Sequence, residues 1–128
     1  MRIVVLAQDL IWADRLARLV EAAGADPVRA GSTERAMAAL DGADGVIVDL
    51  TARAYDALAV LAAARDAGVR AIAVGQHDDH PLRKQALAAG AERVYAYRKL
   101  HEDGPATIGS WLARGPGGTA SAPGRVAS

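Results

Sequence analysis

The chain has 128 residues, a formal net charge of zero and 52% hydrophobic residues, which suits one domain with a sizeable core. It contains no cysteine, which excludes disulfides, thiolate catalysis and cysteine-based zinc sites. The sequence has no dense basic cluster and no apolar run of about 18 residues. We therefore expect no nucleic-acid partner, no membrane partner and a cytoplasmic location.

Strand-like and helix-like patterns alternate from the first residues. Residues 3–7 (IVVLA) form an apolar, largely β-branched run, which is typical of a strand buried on both faces. An amphipathic helix follows and ends at Gly24. A weaker strand at residues 27–30 precedes a second helix, which Ser32 caps and Gly42 ends.

The same alternation continues to about residue 112. Residues 45–50 (GVIVDL) predict a second strongly apolar strand, followed by a helix that closes at Gly68. The remaining predicted elements are a strand at residues 69–74, a helix from Pro81 to Gly90, a more polar edge strand at residues 93–97, and a last helix opened by Asp103 and Pro105.

Five successive strand–helix units predict an α/β domain over residues 1–114. Right-handed crossovers on both faces give a doubly wound, flavodoxin-like parallel sheet. The two most apolar runs belong at its centre, which favours the strand order 2-1-3-4-5. Residues 115–128 are rich in Gly, Pro, Ser and Ala, and we expect a disordered tail there.

Asp49 is the most informative residue of the chain, because it ends the apolar strand GVIVD. A carboxylate there is unfavourable unless it is solvated, paired or functional. Two interpretations stay open: a functional acceptor or metal-binding carboxylate, or an aspartate that caps the amide groups of the following loop.

Four segments of the sequence carry a resemblance to a known family: MRIVVLAQD, GVIVDL, AIAVGQHDD and ALAAGAERVYAYRKL. They resemble the receiver domain of two-component response regulators. The resemblance implies that an aspartate ending the third strand accepts a phosphoryl group. It also implies an acid pair after the first strand that helps to hold Mg²⁺, a Thr or Ser ending the fourth strand, and a Lys ending the fifth.

Carried over by position, Asp49 falls on the phosphoacceptor, but the other positions depart from the family. The acid pair falls on Ala7 and Gln8, with Asp9 next to it. The hydroxyl, aromatic and lysine positions of the family fall on Gly75, Val94 and Tyr97. By strand alternation, the side chain aimed like the lysine is that of Tyr97.

The resemblance therefore predicts a degenerate pseudo-receiver, which is not an enzyme and needs no cofactor. Phosphoryl transfer needs Mg²⁺ and a cation to neutralise the transferred group. Asp9 and Asp49 alone would supply few of the oxygen ligands that Mg²⁺ needs. Two alternatives stay open: a genuine phosphoacceptor that uses Asp49 with Mg²⁺, and a small ligand bound at the carboxyl-terminal edge of the sheet.

The surface formed by the fourth helix, fifth strand and last helix is the one by which receivers commonly bind partners. Here it would carry Arg93, Tyr95, Tyr97 and Trp111, residue types that are enriched at binding hot spots. We expect another signalling protein there, such as a histidine kinase or a transcription factor, or a second copy of the chain.

Two further features have competing explanations. Trp12 is predicted either to cover the switch point, to anchor a partner, or simply to pack against the domain. Residues 77–80 (HDDH) could hold a metal, or form a solvated loop in which Asp79 or His80 caps the next helix.

Overall fold

The computed structural model describes residues 1–52, 55–76 and 78–114. The predicted tail at residues 115–128 lies outside the described residues. Within the described ranges, no helix combines the length and the apolar character needed to cross a bilayer.

Strands and helices alternate through the described part of the chain. In order they are β1 (Arg2–Leu6), α1 (Leu10–Ala22), β2 (Asp26–Ala30), α2 (Thr33–Leu40), β3 (Gly45–Asp49), α3 (Ala57–Asp66), β4 (Arg70–Gly75), α4 (His80–Ala89), β5 (Val94–Ala96) and α5 (Tyr97–Arg114).

The five strands pair in parallel in the order β2-β1-β3-β4-β5, which confirms the predicted fold class and topology. β3 lies between β1 and β4, and all five of its residues are buried. This position explains its continuous apolar sequence, because helices cover both faces of the sheet. The switch point falls between β1 and β3, so their carboxyl ends frame a crevice.

Alternate residues of each strand face two separate hydrophobic layers. In β1, Ile3 and Val5 pack with residues of α1 and α5, whereas Val4 and Leu6 pack with residues of α2, α3 and α4. The five helices are thus divided two and three between the faces, as a doubly wound sheet requires.

Helix starts follow local capping chemistry. Ser32 Oγ accepts a hydrogen bond from Arg35 N at 3.2 Å, so the predicted cap of α2 is confirmed. Asp79 Oδ1 accepts from Leu82 N at 3.1 Å and caps α4, in agreement with the solvated-loop interpretation of residues 77–80. The metal interpretation includes His77, which lies outside the described residues.

The end of the chain differs from the prediction in one respect. β5 ends at Ala96, and Tyr97 is already the first residue of α5 rather than the last residue of a strand. Salt bridges from Arg98 to Glu102 (3.4 Å) and from Lys99 to Asp103 (3.1 Å) stabilise this additional helical turn. The helix kinks at Asp103 (φ −142°), close to where the sequence predicted a helix start.

Candidate functional site

Asp49 lies at the carboxyl end of β3, beside the switch-point crevice. Its side chain is almost completely buried, with 2% of its surface exposed. No Lys, Arg or His nitrogen in the described ranges lies within salt-bridge distance of its carboxylate. A buried carboxylate without a cation must be stabilised by hydrogen bonds from neutral donors.

One oxygen of Asp49 accepts three such hydrogen bonds. Oδ1 accepts from Thr51 N at 3.0 Å, from Thr51 Oγ1 at 2.8 Å and from the hydroxyl of Tyr97. The bond from Thr51 N is the loop-capping interaction that the sequence allowed. The bond from Tyr97 joins the end of β3 to the start of α5.

Thr51 and Tyr97 also contact each other, since their hydroxyl oxygens are 2.6 Å apart. Three oxygens therefore form a closed set, which we call the hydroxyl cluster: Asp49 Oδ1, Thr51 Oγ1 and Tyr97 Oη. Each hydroxyl has one hydrogen, so the three oxygen–oxygen contacts of the cluster share two hydrogens. The cluster supplies polar stabilisation without any positively charged group.

The phenol of Tyr97 remains a neutral donor at ordinary pH. Burial raises the pKa of Tyr97 well above its usual value of 10.0, and the hydrogen bond to Asp49 raises it further. Ionisation would place a phenolate against a carboxylate. Tyr97 can therefore donate to Asp49, but it cannot act as a counter-ion or supply a proton readily.

Tyr55 closes the crevice between the first and third strands. Its hydroxyl lies 3.1 Å from the carbonyl oxygen of Leu6 and 2.6 Å from that of Asp49. Its one hydrogen is thereby shared between the carbonyls at the ends of β1 and β3, with the shorter contact at Asp49. Burial, and then the charge of Asp49, raise the pKa of Tyr55, so this group also stays protonated. Sequence reasoning missed Tyr55, which lies in a loop without periodicity.

Trp12 packs against the outer side of the hydroxyl cluster. Its ring is half-buried, and its centroid lies 4.4 Å from that of Tyr97 with an interplanar angle of 48°. Arg15 lies over the indole at 5.1 Å from its centroid, and its Nη1 is 2.6 Å from Nδ1 of His101. Trp12 is thus a packing residue that holds the Tyr97 ring in position.

Gln8 and Asp9, the predicted remnant of an acid pair, are both exposed. Asp9 Oδ1 accepts hydrogen bonds from Ile11 N at 2.8 Å and from Trp12 N at 3.2 Å, so it is the N-cap of α1. This role is sufficient to explain an acidic residue at position 9.

These residues do not form a donor set that suits Mg²⁺, which prefers several oxygen ligands including carboxylates. Oδ1 of Asp49 already accepts three hydrogen bonds, and Oδ1 of Asp9 caps a helix. Across the described residues, no group of three or more His, Cys, Asp or Glu side chains is arranged to hold a metal ion.

The other two positions that the resemblance singled out, Gly75 and Val94, lie in apolar surroundings. Gly75 ends β4 without a side chain, and a Cβ added there would lie 3.4 Å from Cδ1 of Leu50. Leu50 thus occupies space next to the position where the family has a hydroxyl. Val94 is buried, at 5% exposure, and belongs to the layer beneath α3 and α4.

The predicted interface residues fall into two groups. Arg93 is exposed, and Tyr95 and Tyr97 are half-buried. Trp111 is fully buried, so its predicted place on a binding surface is wrong. It packs against Gly45, where an added Cβ would lie 2.9 Å from Trp111 Cη2, and therefore belongs to the core.

Comparison with solved structures supports the fold. The chain is similar to the receiver domain of a Francisella response regulator (TM-score 0.73, 15% identity, covering 88% of this chain and 97% of the other). It is also similar to the receiver domain of a DNA-binding response regulator from Colwellia psychrerythraea (TM-score 0.76, 20% identity, 88% and 98%). A pilus assembly-related protein from Burkholderia pseudomallei matches with a TM-score of 0.71, 22% identity and coverage of 91% and 89%.

These similarities show that the chain has the fold of response regulator receiver domains. No known protein-family profile matches the sequence, and no curated protein matches it either. Identities of this size establish architecture, and the activity must be argued from the site.

Proposed function

We propose that this chain is a receiver-type signalling domain of the two-component class that acts as a protein-interaction module without phosphorylation. One observation carries the proposal: the hydroxyl of Tyr97, the residue that falls by sequence on the lysine position of the resembled family, donates to Asp49. A neutral phenol there stabilises an unmodified carboxylate, whereas a phosphoryl group would need positive charge.

The electrostatic requirement is general. A transferred phosphoryl group carries negative charge over its oxygens, and catalysis of the transfer consists mainly of positioning and neutralising that charge. The hydroxyl cluster offers two neutral hydroxyls and one backbone amide. The proposed domain therefore needs no Mg²⁺ and has no phosphotransfer or other enzymatic activity.

Access to the carboxylate supports the same proposal. Asp49 is 2% exposed, Tyr97 and Thr51 contact it, and Trp12 packs on the outer face of Tyr97. Oδ1 of Asp49 is engaged by its three donors, so a phosphodonor would have to react at the other carboxylate oxygen, Oδ2. There it would find no cation of the described residues within salt-bridge distance of the carboxylate to neutralise the transferred group.

Two observations weigh against the alternatives. The phosphoacceptor alternative needs Asp9 to turn toward Asp49, yet Asp9 caps α1 with two hydrogen bonds. The small-ligand alternative needs room at the carboxyl-terminal edge of the sheet, and the hydroxyl of Tyr55 takes up the space between the ends of the first and third strands.

The proposed partner is another signalling protein in the cytoplasm, such as a histidine kinase or a transcription factor. The similar structure from Colwellia is the receiver domain of a DNA-binding response regulator, which supports an effector of that kind. Arg93, Tyr95 and Tyr97, on the α4–β5–α5 side, remain the candidate contact residues, whereas Trp111 lies in the core.

The proposal is tested by incubating the protein with acetyl phosphate and Mg²⁺ and measuring its intact mass. We expect no phosphoryl addition to the unaltered protein or to the Asp49→Asn control. A rebuilt variant, Gln8→Asp with Tyr97→Lys, restores an acid and a cation at the family positions. We expect this variant to gain a measurable fraction of phosphorylated protein.

A phosphoryl addition to the unaltered protein that Asp49→Asn abolishes would overturn the proposal. Phosphorylation of both the unaltered protein and the rebuilt variant to the same extent would show that Tyr97 does not prevent the reaction. Circular dichroism of all three proteins would establish that they are equally folded.

A further inference from the structure

The outer face of α1 exposes two large hydrophobic residues side by side. Leu10 and Ile11 are 79% and 71% exposed, the highest values among the exposed large hydrophobic residues of the described chain. Together with four later residues of the helix they line a shallow depression: Leu10, Ile11, Asp14, Arg15, Arg18 and Leu19. The spacing of these residues places them along one stripe of α1.

The charged residues of this stripe differ in how many oppositely charged partners they have. Asp14 accepts hydrogen bonds from Arg18 at 2.7 Å and from Arg29 at 2.8 Å, and these bonds lower the pKa of Asp14. Arg15 contacts the imidazole of His101 and the ring of Trp12, and no carboxylate in the described ranges is within salt-bridge distance of it. The stripe thus offers an ion-pairing partner for an incoming carboxylate.

We propose that this stripe binds the same stripe of a second copy, with the two α1 helices antiparallel. A twofold axis between Asp14 and Arg15 brings position 14 of one copy beside position 15 of the other. The same axis places position 10 against 19 and position 11 against 18. Leu10 then contacts the exposed part of Leu19 of the other copy, a side chain that also packs against Gly104 of its own chain, and Ile11 packs on the aliphatic stem of Arg18.

Charge complementarity favours a second copy as the occupant. In the antiparallel arrangement, Arg15 of each copy lies beside Asp14 of the other at two symmetric places, and Asp14 would add this third cation to its pairs with Arg18 and Arg29. A twofold interface is self-complementary by construction, so a single stripe satisfies both partners. A parallel arrangement would instead place Arg15 beside Arg15 and Asp14 beside Asp14, which is repulsive.

The proposed dimer is weak and reversible. One pair of antiparallel helices buries less surface than a stable interface of about 1,200–2,000 Å² needs. Association through α1 goes beyond the proposed function and does not depend on it, because phosphorylation of Asp49 would leave Leu10, Ile11 and Asp14 in place.

The test is sedimentation velocity of the full chain over a wide concentration range. We expect a reversible monomer–dimer equilibrium that Ile11→Asp weakens by at least about tenfold. Leu87→Asp is the matched control, since Leu87 is an exposed leucine on α4, at 43% exposure, and lies outside the stripe. A protein that stays monomeric at every concentration, or a dimer that Leu87→Asp disrupts and Ile11→Asp does not, would overturn the proposal.

The antiparallel register has its own test. The sequence contains no cysteine, so an introduced cysteine is the only thiol of each variant. Ile11→Cys and Arg18→Cys are prepared as separate proteins and treated with a short thiol crosslinker, alone and mixed. We expect the mixed sample to give more crosslinked dimer than either protein alone. Equal yields in all three samples would contradict the antiparallel register.

Discussion

At the amino-terminal end of the sheet, Arg70 meets Glu92 in a two-pronged salt bridge (2.9 and 3.0 Å), whereas at the carboxyl-terminal end Asp49 meets only hydroxyls and an amide. The Arg70 guanidinium also lies over the ring of Trp111 at 5.4 Å. Charge at one end is balanced by charge, and charge at the other end is balanced by neutral hydrogen-bond donors.

The two ends of the sheet differ in how they use charge: the Arg70–Glu92 pair stabilises the fold, whereas the charges around Asp49 would decide its chemistry. Both side chains of the Arg70–Glu92 pair are largely buried, with 12% and 17% exposure, and the pair joins β4 to the segment before β5. Positive charge therefore reinforces the amino-terminal end of the sheet. In the described ranges no cation lies within salt-bridge distance of Asp49, where phosphoryl transfer would need one. The following changes test how far this contrast holds.

The largest effect is expected at the amino-terminal end. Trp111→Ala should lower the free energy of unfolding by about 3–5 kcal/mol, because it removes a fully buried ring and leaves a cavity beside Gly45 and Arg70. Urea denaturation followed by circular dichroism would measure it. A loss below about 1 kcal/mol would show that Trp111 is not part of the core.

Removing one charge of the salt bridge should have the next largest effect. Glu92→Gln keeps the size of the side chain but leaves the guanidinium of Arg70 without an anionic partner. We expect a loss of about 1.5–3 kcal/mol in the same denaturation experiment. Glu102→Gln is the matched control, because the Arg98–Glu102 pair is exposed and should change stability by less than about 0.5 kcal/mol.

The hydroxyl cluster should respond less strongly. Tyr97→Phe removes one donor from Asp49 while both donors of Thr51 remain, so we expect a loss of about 1–2 kcal/mol. Tyr95→Phe, a change of the same kind two residues earlier, is the control and should be close to neutral. Equal effects of the two substitutions would show that the bond between Tyr97 and Asp49 contributes nothing.

The smallest effect is a dependence on alkaline pH. The pKa of Tyr97 is raised on folding, so the unfolded chain loses this proton first, near pH 10.0, while the folded chain keeps it. Its contribution is therefore complete below pH 10 and declines as the pH rises further. The stability of Tyr97→Phe should fall less steeply above pH 10 than that of the unaltered protein. Parallel curves would contradict the raised pKa.

Much of the fold could be predicted because its signals are local. The apolar runs that became β1 and β3, the cap at Ser32 and the order of elements all follow from neighbouring residues. The start of α5 at Tyr97 could not be predicted in this way, because a short alternating stretch resembles both an edge strand and a helical turn. The helical start at Tyr97 depends on tertiary contacts, since it brings Leu100 into the hydrophobic layer that α1 and α5 cover.

The site was harder to predict than the fold. Asp49 and Tyr97 were identified as neighbours from strand position, but their direct hydrogen bond needs the actual side-chain geometry. Tyr55 carried no signal, since it lies in an aperiodic loop. The sequence did carry a signal for the burial of Trp111. Leu100, Gly104, Ile108 and Leu112 recur every four residues and mark the buried stripe of α5. Trp111 lies next to this stripe, on the side of the helix that faces the core.

The central claim is that Tyr97 and Thr51 hold Asp49 in a closed cluster of neutral groups that cannot accept a phosphoryl group. Fluorine NMR with beryllofluoride, a phosphoryl mimic, and Mg²⁺ tests it most directly. We predict no protein-bound fluorine signal and unchanged amide signals at Leu50 and Thr51. A bound signal that disappears in Asp49→Asn would contradict the claim.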